Sequence, residues 1–191
     1  SRKGISLLAQ ETGTIAGMTV CENMFLGEET QNSRWGLVNF RRLCQSTAEI
    51  LKRHGLEHIN PEENVERYSF EDRKMLEVAR AVHHSPQILI IDETTTALSH
   101  HGRQKIYEIV SEMRAQRKSV IFISHDLDEI MQVCDSATIL RDGHYIETLG
   151  KEQMNKDAIR ALMIGREFDG SYYRPDWEGH FEEEVVLKAE N

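Results

Sequence analysis

The sequence predicts an α/β fold in which a parallel sheet carries a helical insertion. Residues 88–91 and 120–123 are unbroken apolar runs of strand length, which is typical of strands buried on both faces of a parallel sheet. Segments with helical periodicity lie before, between and after these runs, and such alternation of strand and helix indicates parallel pairing. Residues 11–84 have a mainly helical pattern and interrupt that order.

The first half of the chain contains one strand and two clear helices. Residues 5–9 have the pattern of a short strand. Residues 41–54 repeat apolar side chains at helical spacing, and Gly55 follows them as a natural C-terminal cap. Ser69 precedes a second helical run, which stops before Pro86.

The second half has the clearer periodicity. The turn dipeptide Asp142-Gly143, between two short apolar segments, predicts a β-hairpin. In the helix that ends at Val133, Leu127, Ile130 and Met131 are predicted to face inward. In chain order, the pattern predicts a strand at 87–92, a helix at 101–116, a strand at 119–124, a helix at 126–133, a hairpin at 137–149 and a helix at 155–164.

Composition excludes several classes of protein. With 191 residues and 39% hydrophobic side chains, the chain is long and apolar enough for one ordinary packed domain, or one and a part. A net charge of −9 disfavours non-specific nucleic-acid binding, and no apolar run reaches the length of a membrane span. The 3 cysteines form no CxxC pair, so we expect free, mostly buried thiols in a reducing cytosol.

The acidic charge is concentrated after Arg166, and this sets the last predicted boundary. The segment 167–191 combines many acids with Gly170, Pro175 and Gly179, so it is predicted to be an acidic linker or extension. The predicted divisions are a core strand and loop at 1–10, a helical subdomain at 11–84, an α/β core at 85–166 and the acidic segment at 167–191.

Two predicted strands end in polar residues that suit phosphate chemistry. In open α/β sheets, ligands bind at the carboxyl ends of the strands. Asp92 and Glu93 follow the first apolar run and could hold Mg²⁺ and orient a water molecule, although acids also favour helix starts. His125 follows the second run, where it could instead cap the next helix or be a satisfied buried histidine. Both signals together favour a phosphate site.

Several segments together resemble the ABC-type ATPases. Residues 162–167, the last segment that matches, are similar to the end of the first nucleotide-binding half in ATPases of bacterial monosaccharide importers. In those ATPases two such halves share one polypeptide. Residues 185–188 could be the first strand of a second half. The other segments are the Q-loop at 8–11, a TVxENxFLG-like segment at 18–27, a signature-like segment at 68–72, the Walker B strand at 88–93, the D-loop at 96–99 and the switch histidine at 123–126.

The resemblance implies a role for each matching residue. Gln10 would contact Mg²⁺ and the attacking water, Asp92 would hold Mg²⁺, and Glu93 would polarise the water. His125 would contact the γ-phosphate of ATP, where transition-state charge develops. Ser99 in the D-loop would be a further nucleotide contact, as would Ser69 in the signature-like segment.

The chain departs from the family pattern in its phosphate-binding loop. No Walker A motif is present, because the Gly150-Lys151 pair lacks both the upstream glycine and the following Ser or Thr. The expectation is that this loop precedes Ser1 and that the chain is a fragment, which by itself would neither bind ATP tightly nor hydrolyse it.

The signature-like segment and the Walker B strand also depart from the pattern. Instead of Leu-Ser-Gly-Gly-Gln, residues 68–72 are Tyr-Ser-Phe-Glu-Asp, which adds bulk and two acids where glycines would approach a phosphate. Ser69 and Asp72 are alternatively a simple helix N-cap pair. Thr94 replaces the proline that usually follows the glutamate, a mild change because Thr tolerates an extended conformation.

The resemblance implies a peripheral ATPase subunit at the cytoplasmic face of the membrane, coupling ATP hydrolysis to import of a sugar. Its expected partners are a second nucleotide-binding half, membrane subunits and, indirectly, a substrate-binding protein, with no nucleic acid. One alternative is a non-hydrolysing regulatory module, which the altered residues 68–72 favour and the intact Asp92, Glu93 and His125 oppose. Another is a soluble ABC protein that acts on ribosomes or DNA, which the acidic charge disfavours.

Overall fold

The computed structural model describes residues 4–28, 33–34 and 37–165, and the chain divides into two compact units, Ser1–Cys134 and Asp135–Asn191. Among the described residues, the first unit contains a three-stranded parallel sheet, a short antiparallel pair of strands and five α-helices, and the second contains a hairpin followed by a helix. Elements are, in chain order, β1 (Ile5–Leu8), α1 (Val20–Met24), β2 (Ser33–Arg34), β3 (Leu37–Val38), α2 (Phe40–Arg53), α3 (Phe70–His83), β4 (Ile88–Asp92), α4 (His100–Ala115), β5 (Ser119–Ile123), α5 (Leu127–Val133), β6 (Ser136–Arg141), β7 (His144–Gly150) and α6 (Lys156–Ile164).

The sheet of the first unit is parallel and three-stranded, with the order β1-β4-β5. Leu7 pairs with Ile90, which in turn pairs with Ile121. Because all three strands run in the same direction, the loops that follow Leu8, Asp92 and Ile123 leave the sheet at one edge. The predicted α/β fold with a parallel sheet is therefore confirmed.

Only one face of this sheet is covered within the described residues. Leu8, Leu89 and Ile91 are buried on the face that packs against the helices. On the opposite face Leu7 is 59% exposed and Ile121 is 50% exposed. The expectation that β4 and β5 are buried on both faces is wrong for the described chain, because α3 and α4 supply a helical layer on one side only.

The helical insertion between β1 and β4 is built from α1, α2 and α3, which pack on one another. Thr19 and Glu22 form a reciprocal capping box at the start of α1, and the Asn39 side chain caps α2. Between these helices the buried thiols of Cys21 and Cys44 lie 2.9 Å apart, and burial raises the pKa of Cys44 to about 12. The expectation of buried thiols is confirmed for both.

The second unit has the predicted hairpin. Asp142 and Gly143 both have positive φ values, 52° and 75°, as the two central residues of a type I′ turn require. The Asn155 side chain caps α6, which ends at Gly165 in a left-handed conformation. The predicted acidic segment 167–191 lies outside the described residues. Within the described part of the chain, no helix has both the length and the apolar character needed to cross a bilayer.

Candidate functional site

Three of the candidate residues meet at the carboxyl edge of the sheet. The side-chain amide of Gln10 donates to Glu93 Oε2 at 3.1 Å, and Nδ1 of His125 lies 3.0 Å from Glu93 Oε1. Each residue comes from the loop after a different strand, so it is the parallel sheet that brings them together. Glu93 is at the centre of this group, with each carboxylate oxygen held by one neighbour.

The backbone at Glu93 directs its side chain to this position. Glu93 has a φ of 43°, in the left-handed region, and its N–H donates to the Ile123 carbonyl at 3.0 Å. A non-glycine residue in this region costs on the order of 1 kcal/mol or more, and such strain is concentrated at functional sites. The strained turn ends β4 and places the carboxylate outside the strand, between the neighbouring loops.

Thr94 contributes to the same turn in a way that the sequence did not indicate. It begins a 3₁₀ helix, Thr94–Ala97, so the expectation of an extended conformation at Thr94 is wrong. Its buried hydroxyl lies 3.2 Å from the Asp92 carbonyl and 3.4 Å from the Leu8 carbonyl, linking the ends of β4 and β1. A proline has no hydroxyl to make this link.

Asp92 and Gln10 are the residues whose oxygens suit a magnesium ion. Asp92 is the last residue of β4, directly before Glu93, and it pairs with Ile123 in the sheet. Gln10 uses its amide nitrogen toward Glu93, so the amide oxygen is the atom that could bind a cation. Mg²⁺ is commonly held by one or two protein oxygens together with phosphates and water, and this donor set fits that pattern. Among the described residues, no cluster of three or more His, Cys, Asp or Glu side chains is arranged as a metal site.

A buried carboxylate, Glu129, connects the loops that carry Glu93 and His125. It accepts hydrogen bonds from three hydroxyl groups, those of Thr95 at 2.7 Å, Tyr107 at 2.7 Å and Ser124 at 3.0 Å. Thr95 is two residues after Glu93, and Ser124 directly precedes His125. Burial and the bond to Glu129 raise the pKa of Tyr107, so its hydroxyl remains a donor throughout the physiological range.

Sequence reasoning missed Glu129. The helix α5 was expected to bury Leu127, Ile130 and Met131, whereas its fully buried side chains are Glu129 and Val133. The available signal was the spacing of these two residues, which lie one helical turn apart and therefore share a face.

Ser69 and Asp72 form the helix cap that was one of the two interpretations of this segment. The Ser69 hydroxyl accepts from the Asp72 N–H at 3.1 Å and donates to Asp72 Oδ2 at 2.7 Å, while His58 Nε2 lies 2.8 Å from Asp72 Oδ1. Burial raises the pKa of the Asp72 carboxyl, but the hydrogen bonds from His58 and Ser69 outweigh it, so that the pKa is lowered overall.

The other acid of the same segment, Glu71, contacts the start of helix α4. Ser99 caps this helix by accepting from the Gly102 N–H at 3.2 Å, and its hydroxyl donates to Glu71 Oε1 at 2.6 Å. A Cβ atom at Gly102 would lie only 2.6 Å from Glu71 Oε1, so the glycine makes room for the carboxylate. The negative charge of Glu71 is thereby placed beside a helix N-terminus, where it is favourable. The candidate residues thus form two groups, one around Glu93 and one that joins residues 69–72 to Ser99.

The family model described as "ABC transporter" matches residues 1–96. The chain is 36% identical over 166 residues to the ribose import ATP-binding protein RbsA of Geobacillus kaustophilus (strain HTA426), covering 87% of this chain and 33% of that protein. It is 32% identical over 171 residues to the ribose import ATP-binding protein RbsA 1 of Burkholderia ambifaria, covering 88% of this chain and 33% of that protein. The chain therefore spans about a third of the length of these relatives.

A solved structure shares the fold at lower sequence similarity. The protein cbiO1 from Clostridium perfringens, part of the ABC transporter complex cbiONQ, matches with a TM-score of 0.61 and 22% identity over 84% of this chain and 63% of that chain. This likeness supports the α/β fold with its helical insertion.

Proposed function

The chain belongs to the ABC transporter family, and from this premise we propose that it is part of an ATP-hydrolysing subunit that drives the import of a sugar. The observation that carries the proposal is Glu93, whose two carboxylate oxygens are held by Gln10 and His125 at 3.1 and 3.0 Å. An ionised carboxylate fixed in this way can accept a hydrogen bond from a water molecule and orient it for attack on a phosphate.

Each residue of the group has a part in the proposed reaction. Glu93 polarises the attacking water, and the exposed ring of His125 contacts the γ-phosphate, where it stabilises charge that develops in the transition state. Asp92 and the amide oxygen of Gln10 would hold Mg²⁺. When bound, this ion would neutralise phosphate charge. The strained backbone of Glu93 and the buried Glu129 keep the two loops in place, so little reorganisation is needed before the reaction.

The sugar and the partners are proposed from the relatives. Two proteins that are 32–36% identical to this chain are named ribose import ATP-binding proteins, so we take a monosaccharide such as ribose as the cargo. Import requires subunits that cross the membrane and a second nucleotide-binding half, either in the same polypeptide or in a second copy. The proposed location is the cytoplasmic face of the membrane, where ATP is available, and a substrate-binding protein outside would deliver the sugar.

The test is sugar uptake and ATP turnover by the complete gene product. Cells that lack the gene are complemented with the wild type or with Glu93→Gln, and uptake of labelled ribose, galactose and xylose is measured. We expect uptake of one of these sugars with the wild type and none with Glu93→Gln. The matched control is Glu108→Gln, which changes an exposed glutamate on α4 outside the site. Uptake that is unaffected by Glu93→Gln would contradict the proposal.

A second candidate function, a regulatory module that binds ATP without hydrolysing it, is favoured by residues 68–72. The side chains of Ser69, Glu71 and Asp72 contact one another or Ser99 and His58. Binding of ATP by the complete gene product with its membrane subunits, without any turnover, would support this alternative. Co-purification of the protein with ribosomes or DNA instead of membrane subunits would support the other alternative, a soluble ABC protein that acts on ribosomes or DNA. The 191-residue chain alone, which contains no Walker A sequence, is expected to show no turnover in the same assay.

A further inference from the structure

Lys74 on helix α3 is a fully buried cation whose ammonium group contacts three consecutive backbone carbonyls. Its side chain is 0% exposed, and Nζ donates to the carbonyl oxygens of Ala9 at 2.7 Å, Gln10 at 3.2 Å and Glu11 at 2.8 Å. These carbonyls belong to the loop that follows β1. With Glu77 as a fourth acceptor, at least one of the three ammonium protons is shared between two acceptors, and one side chain still contacts the whole turn of this loop.

The charge of Lys74 has a partner on the same helix. Glu77, one turn further along α3, accepts from Nζ at 3.1 Å, and its other carboxylate oxygen accepts from the Gly13 N–H. A buried ammonium is tolerated only when it is paired and hydrogen-bonded, and both conditions are met here. The pair Lys74–Glu77 therefore binds the loop at two points, its carbonyls at residues 9–11 and its amide at Gly13.

The same loop carries Gln10 into the candidate site. Lys74 binds the backbone carbonyl of Gln10, while the side-chain amide of Gln10 binds Glu93. The ammonium is thus one residue away from the carboxylate that is proposed to polarise water. Gln10 alone therefore links Lys74 to Glu93 through these two hydrogen bonds.

We propose that Lys74 is a positioning residue for ATP hydrolysis, which acts by holding the loop of Gln10 so that its amide meets Glu93. This inference rests on the proposed function. It predicts that the effect of removing Lys74 is transmitted through Gln10. The effect would be on the chemical step, because the amino group of Lys74 is already bound to backbone carbonyls and Glu77 and therefore does not contact ATP itself. Affinity for ATP would change little.

A double-mutant cycle in the complete gene product with its membrane subunits separates this role from a structural one. The variants are Lys74→Met, Gln10→Ala and the double variant, with kcat and KM for Mg·ATP measured for each. We expect each single change to lower kcat by about tenfold or more, since displaced catalytic groups commonly cost factors of this size. Lys74→Met should leave KM within about twofold, whereas Gln10→Ala also removes a proposed Mg²⁺ ligand and should raise KM. The kcat of the double variant should be at most about threefold below that of the slower single variant, because the effects of residues that act through one another do not add.

The matched control is Arg80→Met on the same helix. Arg80 also donates to a backbone carbonyl, that of Asn23 at 3.0 Å, but none of its described hydrogen bonds reaches residues 9–11. Its loss should lower the unfolding temperature while leaving kcat within about twofold of the wild type. Lys74→Gln is a milder second variant, because its amide can still donate to two of the three carbonyls.

The outcomes distinguish the inference from the function on which it rests. A wild-type protein without Mg·ATP turnover would reject the proposed function itself. If the wild type is active, two results would overturn the inference about Lys74 but not the proposed function. One is a double variant in which the two losses of kcat multiply, and the other is an unchanged kcat in Lys74→Met. If neither Lys74→Met nor Lys74→Gln yields folded protein, Lys74 serves folding and the positioning role is rejected.

Discussion

The hydroxyl of Ser99 donates to the carboxylate of Glu71 at 2.6 Å, joining the start of helix α4 to the first turn of helix α3. Asp72, the neighbouring acid, is bound by Ser69 and His58. Both carboxylates at residues 68–72 therefore have partners in the chain itself. Under the proposed function this segment would face a nucleotide held by the opposite half, where a phosphate would meet two acids that already accept hydrogen bonds from Ser69 and Ser99, the N-cap residues of α3 and α4.

Substitution of Glu93 should remove most ATP turnover. Glu93→Gln keeps the size of the side chain and can keep the contact with Gln10, but a neutral amide is a poorer acceptor for the proton of the attacking water. We expect turnover by the complete gene product with its membrane subunits to fall by about 100-fold or more. Glu108→Gln on α4 is the control and should leave the rate unchanged. Equal rates for both variants would exclude Glu93 from the chemistry.

Substitution of Ser69 should affect stability more than catalysis. Two acids near a γ-phosphate could cost a few kcal/mol at a partly screened dielectric, so the site that faces Ser69 is expected to hydrolyse poorly. Ser69→Ala should therefore change turnover by less than about twofold while removing a helix N-cap, which costs about 1 kcal/mol of stability. Turnover in the assembled protein and urea unfolding are the two measurements. A loss of turnover as large as that of Glu93→Gln would show that the altered segment works in hydrolysis and that the site facing Ser69 is not the weaker one.

Asp72 should give the chain a pH-dependent contribution to stability. Its pKa in the folded state is lowered from the ordinary value of 3.8, so the unfolded state binds the proton more readily. The contribution is present above about pH 3.8 and is lost as the pH falls through the lower, folded-state pKa. Asp72→Asn should lower the free energy of unfolding at neutral pH, and the difference from the wild type should shrink in acid.

The measurement for Asp72 is urea unfolding at several pH values between about 3 and 7, a range that brackets the ordinary pKa of the carboxyl group. Asp157→Asn is the control, because the Asp157 side chain is 90% exposed and its pair with Arg160 is a surface contact of little value. A stability difference for Asp72→Asn that stays constant down to the most acidic pH would contradict the assignment.

The hydroxyl of Tyr107 should contribute measurably to stability through Glu129. Tyr107→Phe removes one of the three donors to a carboxylate that is 4% exposed, and an unsatisfied buried acceptor costs about 1–3 kcal/mol. Tyr145→Phe is the matched control, since Tyr145 is 64% exposed. Urea unfolding of both variants gives the comparison, and equal stabilities would mean that Glu129 does not depend on this bond.

Local signals in the sequence were enough to predict most elements of the fold. The strand ending in Asp92 and the helix beginning after Ser69 were placed to within a residue or so, because an apolar run and an N-cap pair depend on adjacent residues. The meeting of Glu93 and His125 also followed, since parallel strands bring their carboxyl ends to one edge.

The contacts that sequence reasoning missed depend on residues far apart in the chain. Lys74 reaches carbonyls more than 60 residues before it, and Glu129 accepts a bond from Thr95, 34 residues away. Neither residue type indicates burial, because a lysine or glutamate on a helix is usually exposed. The uncovered sheet face was missed for a related reason, as an apolar run indicates that a strand can be buried but not which helices cover it.

The pairing of β1 with β4 has a consequence for the order of events during synthesis. Ile5 pairs with Ile88, so the first strand must wait for about 80 further residues before its partner leaves the ribosome. At translation rates of about 5–20 residues per second, this delay is roughly 4–16 s, far longer than helices need to form. The helices of the insertion can therefore fold first, and Lys74 is made before β4, so the carbonyls after β1 can be bound before β1 and β4 pair. A chaperone that binds extended apolar segments would have its best opportunity at β1 during this interval.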